Sequence, residues 1–134
     1  MENCLFCQII DKKIPAKIVY ENEYVIAFLD INPISNGHCI VIPKKHFASL
    51  QLTDERYLQE VSIALKIVAN KLYNSKLKPW GMNYLSNENS IAGQEIFHFH
   101  FHIIPKYFAN EGLILKTNPV HNKDIEEIYK LINI

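Results

Sequence analysis

Three histidines alternate with large apolar residues in the stretch 97–104, and they are half of the six histidines in the chain. Because β-forming residues occupy the positions between them, this period-two pattern predicts a β-strand over 97–104. The aromatic side chains would face the core, and His98, His100 and His102 would stand together on the opposite face. His98 and His102 would then be about 13 Å apart, too far for one zinc ion to bind all three. We therefore expect the row to lie along an extended ligand.

Two other stretches offer groups that bind small polar ligands. Gly93, just before the histidine row, lets backbone N–H groups approach an anion closely, and Gln94 adds a side-chain donor. Asp30 directly follows a buried apolar run, at a strand end where loops carry function. A carboxylate there can accept hydrogen bonds from the vicinal hydroxyls of a ribose, although an ordinary turn residue is the plainer interpretation.

The N-terminal cysteines form a C-x-x-C pattern at Cys4 and Cys7. Alone, this pattern is consistent with half of a zinc site, a redox pair or coincidence. No second C-x-x-C follows, so a zinc ion would need two histidines from elsewhere. His46, in a basic corner after a predicted strand, is either such a ligand or part of a solvated loop. The chain has three cysteines, and this odd number argues against a disulfide framework.

The remaining pattern predicts the elements that position these groups. A helix is expected to begin at the N-cap Thr53 and to run to about Asn74, because apolar residues recur there at steps of three and four. Pro43 and Pro105 are expected to end the strands they follow. Further strands are predicted at 17–20, 24–29, 38–42 and 81–86, a helical turn at 8–13 and a second helix at 124–132. This order indicates an α+β domain, an antiparallel sheet of about five strands with packed helices.

Length and composition narrow the class of protein. The 134 residues suit one domain spanning 1–134, and 49% hydrophobic and 21% charged residues are ordinary for a globular chain. Lys+Arg and Asp+Glu balance at 14 each, so no basic field points to nucleic acid as a partner. No apolar window approaches the ~20 residues of a membrane span, so we expect no membrane partner. The N-terminus lacks the pattern of a secretion signal, and a cytoplasmic location is expected.

Residues 93–104 resemble the signature of the histidine triad (HIT) nucleotide-binding family, His-φ-His-φ-His-φ-φ with φ apolar. The segments 14–17, 27–31 and 37–46 are also similar to that family, most of all to its Hint-like, bacterial-type branch. The resemblance runs from about residue 4 to residue 106. It implies a compact α+β domain that forms a homodimer by extending its sheet across a two-fold axis. It also implies binding of a purine nucleoside monophosphate.

The resemblance implies a role for each residue of the motif. His100 would attack the α-phosphorus, His102 would contact the phosphate, and His98 would position the triad. Glu95 departs from many relatives, which carry Ser or Thr there. If only its backbone N–H is used, the change has no effect; if the hydroxyl of those relatives helps to protonate the leaving group, a carboxyl would do so differently and leaving-group preference would change. The other nucleotide-binding residues implied are Asp30 and Ile31 for ribose and base, and Asn87, Gly93, Gln94 and the Glu95 backbone for the phosphate.

The implied activity is hydrolysis of nucleoside phosphoramidates, or similar adenosine-5′ phosphoryl compounds, through a covalent nucleotidyl-histidine. A neutral imidazole is a competent nucleophile near pH 7 because its ordinary pKa is about 6.5. A backbone carbonyl or similar acceptor would hold the second ring nitrogen. The alternatives are a dinucleoside polyphosphate hydrolase, a nucleotide-binding protein with vestigial catalysis, and a zinc hydrolase that uses His98 and His100 as a metal pair.

Relatives with an N-terminal C-x-x-C also imply a structural zinc ion. Its ligands in this chain would be Cys4, Cys7, His46 and His98, which together give a closed tetrahedral site. Such a site would tie the N-terminus to the sheet and would leave no open position for metal catalysis. The third cysteine, Cys39, is expected to be a small core residue.

Overall fold

The computed structural model describes residues 3–134, and its centre is a five-stranded antiparallel sheet. The strands lie side by side in the order β1-β2-β3-β5-β4. The predicted α+β class and the antiparallel sheet are confirmed. In chain order the strands are β1 (Ile18–Glu21), β2 (Val25–Leu29), β3 (Cys39–Pro43), β4 (Gly81–Leu85) and β5 (Phe101–Lys106).

One long helix, α2 (Glu55–Tyr73), covers one face of the sheet. Its buried residues Val61, Ala64, Val68 and Leu72 recur at three- and four-residue steps and pack on the central strands. The predicted helix is confirmed, but its N-cap is Asp54. The residue predicted for that role, Thr53, instead donates its hydroxyl to the Ser49 carbonyl at 2.8 Å and closes the preceding 3-10 turn, Leu50–Leu52.

The opposite face of the sheet is covered by the short N-terminal helix α1 (Leu5–Ile10). Its Phe6 and Ile9 pack with apolar side chains of β2 and β3, among them Ile26 and Ile42. This packing brings the two N-terminal cysteines to the sheet. The third helix, α3 (Ile125–Ile132), has no buried residue. Within residues 3–134, no helix is both long and apolar enough to cross a membrane.

The histidine stretch enters the sheet later than its alternation predicts. Strand β5 begins at Phe101, and residues 96–98 form a bend. The prediction of a strand from residue 97 is wrong because pairing with β3 begins only at Phe101. Before it, the Phe99 N–H donates to the carbonyl of Phe47, beyond the end of β3, at 2.6 Å. Phe99 is buried as expected, but Phe97 is 50% exposed and does not face the core.

The two prolines differ: β3 ends at Pro43, within one residue of the prediction, but Pro105 does not end β5. Pro43 is the last paired residue of β3, and Pro105 lies inside β5 opposite Met82. The prediction that Pro105 blocks further pairing is wrong, because its missing N–H faces the β3 side of the strand. Pairing with β3 has already ended at Ile103. No ladder hydrogen bond is therefore lost, and β5 continues along β4 to its last residue.

Candidate functional site

An open pocket of about 660 Å³ lies on the face of the sheet that carries α1, with a volume in the range of small-molecule sites. Apolar side chains of α1, β2 and β3 form one part of its wall. Most of the residues predicted to bind or attack the nucleotide also line it. Of that set, Gln94 and His98 do not. The predicted residues in the wall are Asp30, Ile31, Asn87, Gly93, Glu95, His100 and His102.

His100 is held with one ring nitrogen free. Its Nδ1–H donates to the carbonyl of His98 at 2.7 Å, so the proton is on Nδ1 and the lone pair is on Nε2. The ring is buried, and Phe6 packs on it edge to face with 5.0 Å between ring centroids. Burial lowers its pKa below the ordinary imidazole value, against the raising effect of the bond to His98. The backbone acceptor expected for this nitrogen is present.

His102 presents the opposite group, an N–H donor, because of His38. The Ile34 N–H donates to His38 Nδ1 at 3.1 Å, so His38 carries its proton on Nε2. That nitrogen lies 2.9 Å from His102 Nδ1, which must therefore accept. The proton of His102 is then on Nε2. Within one pocket, His100 offers a lone pair and His102 offers a donor, with 5.0 Å between their ring centroids.

His38 is a site residue that the sequence analysis did not single out. It immediately precedes β3, and its side chain is 2% exposed. The available signal was its position, since it flanks a strand whose Ile40 pairs with His102. A histidine at the end of a neighbouring strand can reach the triad, but strand order is not readable from the sequence alone.

Asp30, at the end of β2, faces the same group. Its Oδ1 accepts the Asn32 N–H at 2.9 Å, and its Oδ2 lies 3.5 Å from His38 Nε2. Asp30, His38 and His102 bring their polar atoms within 4.8 Å of one another, as metal ligands do. However, the Ile34 N–H keeps the proton on the His38 nitrogen that faces this point. A protonated nitrogen cannot bind a metal ion, so we assign no metal to this group.

The polar loop beside the triad has Gly93 at its turn. Its φ of 98° is in the left-handed region, and an added Cβ would come within 3.2 Å of Asn87 Nδ2. The Asn87 amide itself lies 3.5 Å from the Gly93 carbonyl. Both strain and contact therefore require glycine here, and the backbone can approach a ligand closely.

Gln94 supports this loop from inside. Its Nε2 donates to the carbonyls of Ala48 at 2.8 Å and Ile96 at 3.2 Å, and its Oε1 accepts the Asn89 N–H at 2.8 Å. The expectation of a side-chain donor to the ligand is therefore wrong, because both amide hydrogens are already used. The buried side chain fixes the loop, and only its backbone is available to a ligand.

The four predicted zinc ligands come together beside α1. His98 Nδ1 lies 3.4 Å from Cys4 Sγ and 3.6 Å from Cys7 Sγ, and His46 Nδ1 lies 3.4 Å from Cys7 Sγ. All four ligand atoms are within 4.8 Å of one another. A tetrahedral zinc ion with Zn–S and Zn–N bonds near 2.3 and 2.0 Å spaces sulfur and nitrogen about 3.5 Å apart. The separations fit such an ion.

The protonation of this cluster also suits a metal. His98 Nε2–H donates to the carbonyl of Pro43 at 3.0 Å, which leaves the lone pair of Nδ1 directed at the thiols. Burial raises the pKa of the Cys7 thiol to about 11, with further increase from Cys4, so an ion bound there would have to displace the thiol proton. His98 therefore belongs to this cluster, while the Nδ1 of His100 is bound to a carbonyl. The alternative of His98 and His100 as one metal pair is not supported.

The partial burial of His102 predicts acid sensitivity. Burial lowers its pKa to about 4 from 6.5, and nearby His100 and His38 act in the same direction. Between these values the unfolded chain binds more protons than the folded one. The contribution of His102 to the free energy of unfolding is therefore fully present above about pH 6.5 and is lost as the pH falls toward 4. We expect the urea midpoint of the wild type to fall more across this window than that of His102→Asn. Parallel profiles would contradict this expectation, and the exposed His121 provides the control His121→Asn.

Comparison with known proteins agrees with this arrangement. The sequence matches the profile of the HIT domain over residues 11–109. It is 47% identical over 131 residues to an HIT-like protein of Mycoplasma genitalium, covering 98% of this chain and 92% of the relative. It is 38% identical over 128 residues to the adenosine 5′-monophosphoramidase of Saccharomyces cerevisiae, covering 96% of this chain and 77% of the relative.

A solved structure gives the same result. The crystal structure of an HIT family protein from Bacillus anthracis matches with a TM-score of 0.88 at 36% identity, over 98% of this chain and 93% of that chain. The domain profile covers most of the sequence of this chain, and the relatives named above match nearly the whole length of this chain. The chain therefore belongs to the HIT family, and His98, His100 and His102 are its histidine triad.

Proposed function

We propose that this protein is a nucleotide hydrolase that cleaves adenosine 5′-phosphoramidates with His100 as its nucleophile. The observation that carries the proposal is the pair of unlike ring nitrogens in the pocket, a lone pair on His100 beside an N–H on His102. Displacement at a phosphate needs a nucleophile for the phosphorus and donors for its oxygens. The Saccharomyces cerevisiae relative, an adenosine 5′-monophosphoramidase, supports this class of reaction.

The reaction proceeds in two displacements. The Nε2 lone pair of His100 forms a bond to the α-phosphorus while the phosphorus–nitrogen bond breaks, and the departing nitrogen keeps the electron pair and takes a proton from solvent. The ring becomes positively charged, and its Nδ1–H bond to the His98 carbonyl stabilises that charge. Water then attacks the phosphorus and gives one proton to solvent, the bond between the phosphorus and Nε2 breaks, AMP leaves, and His100 regains its lone pair. The His102 donor and the backbone at Gly93 bind the phosphoryl oxygens.

The nucleoside part is assigned to the other end of the pocket. Asp30 is half-buried at the end of β2, where its carboxylate accepts hydrogen bonds from the ribose hydroxyls. Ile31 next to it is 88% exposed and lines the pocket. Covering such a side chain with a purine ring removes apolar surface from water and is favourable. Phe6 and Phe28 supply further apolar wall on the α1 side.

A trapping experiment tests the covalent step. The protein is mixed with adenosine 5′-phosphoramidate, unfolded within milliseconds at alkaline pH, and digested for mass spectrometry. We expect one adenylyl group on the peptide that contains His100. Turnover without any adduct, or an adduct on another residue, would refute the proposed nucleophile. A protein that binds AMP but neither turns over nor forms an adduct would be a nucleotide-binding protein with vestigial catalysis.

We also propose that Cys4, Cys7, His46 and His98 hold a structural zinc ion. Zinc would supply a fixed link between α1, the end of β3 and the start of the triad. The support is the fit of the thiol and imidazole separations and the orientation of His98 by the Pro43 carbonyl. With four protein ligands, no position remains for substrate.

A homodimer through β4 is the third part of the proposal. This strand lies at an edge of the sheet. Trp80, just before the strand, is 90% exposed, and Tyr84, within it, is 46% exposed. Since Pro105 has no N–H, the pair Met82–Pro105 cannot exchange hydrogen bonds. By alternation, the N–H of Tyr84 then faces away from β5, toward the open edge. Exposed aromatic side chains beside an unpaired edge favour pairing with a second copy.

The variant Tyr84→Pro tests this interface. Proline removes an outward N–H, so pairing with a second copy should fail while the ladder to β5 stays intact. We expect the wild type to sediment as a dimer and Tyr84→Pro as a folded monomer, with circular dichroism as the check on folding. Tyr84→Phe, which keeps the N–H and the ring, is the matched control and should remain dimeric. A dimeric Tyr84→Pro variant would exclude pairing through this edge.

A further inference from the structure

The charges around the pocket are unusual for a site that binds phosphate. Two carboxylates, Asp30 and Glu95, belong to its wall, and no Lys or Arg is among the described residues that line it. Burial lowers the pKa of His38, His100 and His102 and so favours their neutral forms, in which none of them offers a full positive charge. A phosphate with several negative charges would therefore enter a field of the same sign.

The two carboxylates differ in what they contact. Asp30 accepts a backbone N–H and lies beside His38, so it is part of the inner wall. Glu95 is exposed, and among residues 3–134 the ion pairs of the structure involve other acids. Its place is nevertheless defined, because the neighbouring Gln94 side chain is bound to the Ala48 and Ile96 carbonyls. Glu95 thus places an accessible carboxylate at the wall of the pocket, on a segment of backbone that Gln94 holds.

We propose that Glu95 determines leaving-group specificity, favouring AMP amides whose amine carries a second, positively charged ammonium group and disfavouring polyphosphate leaving groups. This inference rests on the proposed function, since it concerns the part of the substrate that departs from the phosphorus. We place the departing group on the open side of the pocket, because the attacking His100 is buried and Glu95 is an exposed residue of the same wall. A cationic amine meets an opposite charge there, and a polyphosphate meets a like charge.

The expected preference for a cationic leaving group can be estimated from the attraction between exposed charges. Opposite charges about 5 Å apart at a solvated site attract by roughly 1 kcal/mol, which corresponds to about a fivefold preference. The preference should weaken as salt rises, because exposed charges are screened. A polyphosphate leaving group experiences the same charge as repulsion, so removal of the carboxylate should raise its relative rate.

The test compares substrates within each protein. Two AMP amides of similar length are used, one made with 1,4-diaminobutane and one with pentylamine, together with diadenosine triphosphate. The ratio of kcat/KM between the two amides is measured for the wild type, Glu95→Gln and the control Glu88→Gln. Glu88 is in the same loop, outside the pocket wall, and its carboxylate bonds to Gln51. Both variants remove one negative charge, so overall charge is matched.

We expect about a fivefold preference for the diamine substrate in the wild type and in Glu88→Gln, and a ratio near one in Glu95→Gln. Glu95→Gln should also raise diadenosine triphosphate cleavage relative to the pentylamide. Equal ratios in wild type and Glu95→Gln, or the same loss in Glu88→Gln, would overturn the inference while the hydrolase remains. Absence of turnover and of a His100 adduct with every substrate would instead refute the proposed function, and with it this inference.

Discussion

Replacement of His100 by alanine is expected to abolish turnover of adenosine 5′-phosphoramidate while AMP still binds. The ring supplies the nucleophilic Nε2, and among the described residues that line the pocket no other imidazole has an unprotonated nitrogen that is not already accepting a hydrogen bond. Removal of a nucleophile of this kind lowers kcat by several orders of magnitude, on the order of a thousandfold or more. The binding groups Asp30 and Ile31 are unchanged, so the Kd for AMP should change by less than about tenfold.

Steady-state rates and calorimetric AMP titrations measure the two effects separately. The control is His121→Ala, since this histidine is exposed in the segment before α3. It should keep the wild-type rate. Full activity in His100→Ala would remove the basis of the mechanism. A parallel loss of rate and AMP binding would mean that the ring supports the pocket and need not attack the phosphorus.

Loss of the zinc cluster is expected to have the largest effect on stability. Metal analysis of the wild type should give one zinc per chain, and Cys7→Ala should give none. Cys7 Sγ lies 3.4 Å from His46 Nδ1 and 3.6 Å from His98 Nδ1, so its removal opens the site. A few kcal/mol of lost stability corresponds to a fall in Tm of about 10 °C or more for a chain of this length. A strong chelator should lower the Tm of the wild type to a similar value.

Cys39→Ala is the matched control for this experiment. Cys39 is a buried free thiol of the sheet and is remote from the cluster, so the variant should keep its zinc. After chelation, activity should decline together with folding, as expected for a structural ion. Immediate loss of turnover in a fully folded protein would contradict a purely structural role. A wild type without zinc, or a Cys7→Ala variant with unchanged Tm, would exclude the site.

Much of the architecture was readable from local patterns. The three- and four-residue spacing of apolar side chains predicted α2, and the β-rich runs predicted β1 to β4 within one or two residues. The histidine motif indicated the family by resemblance, and its alternation correctly separated Phe99 and Ile103 in the core from His100 and His102 in the pocket wall. These features depend on neighbours in the sequence, and so the sequence alone determined them.

The orientation of each ring was decided by tertiary structure. His98 turns toward the cysteines because the Pro43 carbonyl binds its other nitrogen, and the Ile34 N–H fixes His38 as the donor to His102. The inward turn of Gln94 likewise depends on the carbonyl of Ala48, 46 positions away. A periodic pattern shows which residues share a face of a strand, but it contains nothing about distant backbone groups. Those groups decide which nitrogen is free, and the chemistry of the site depends on that choice.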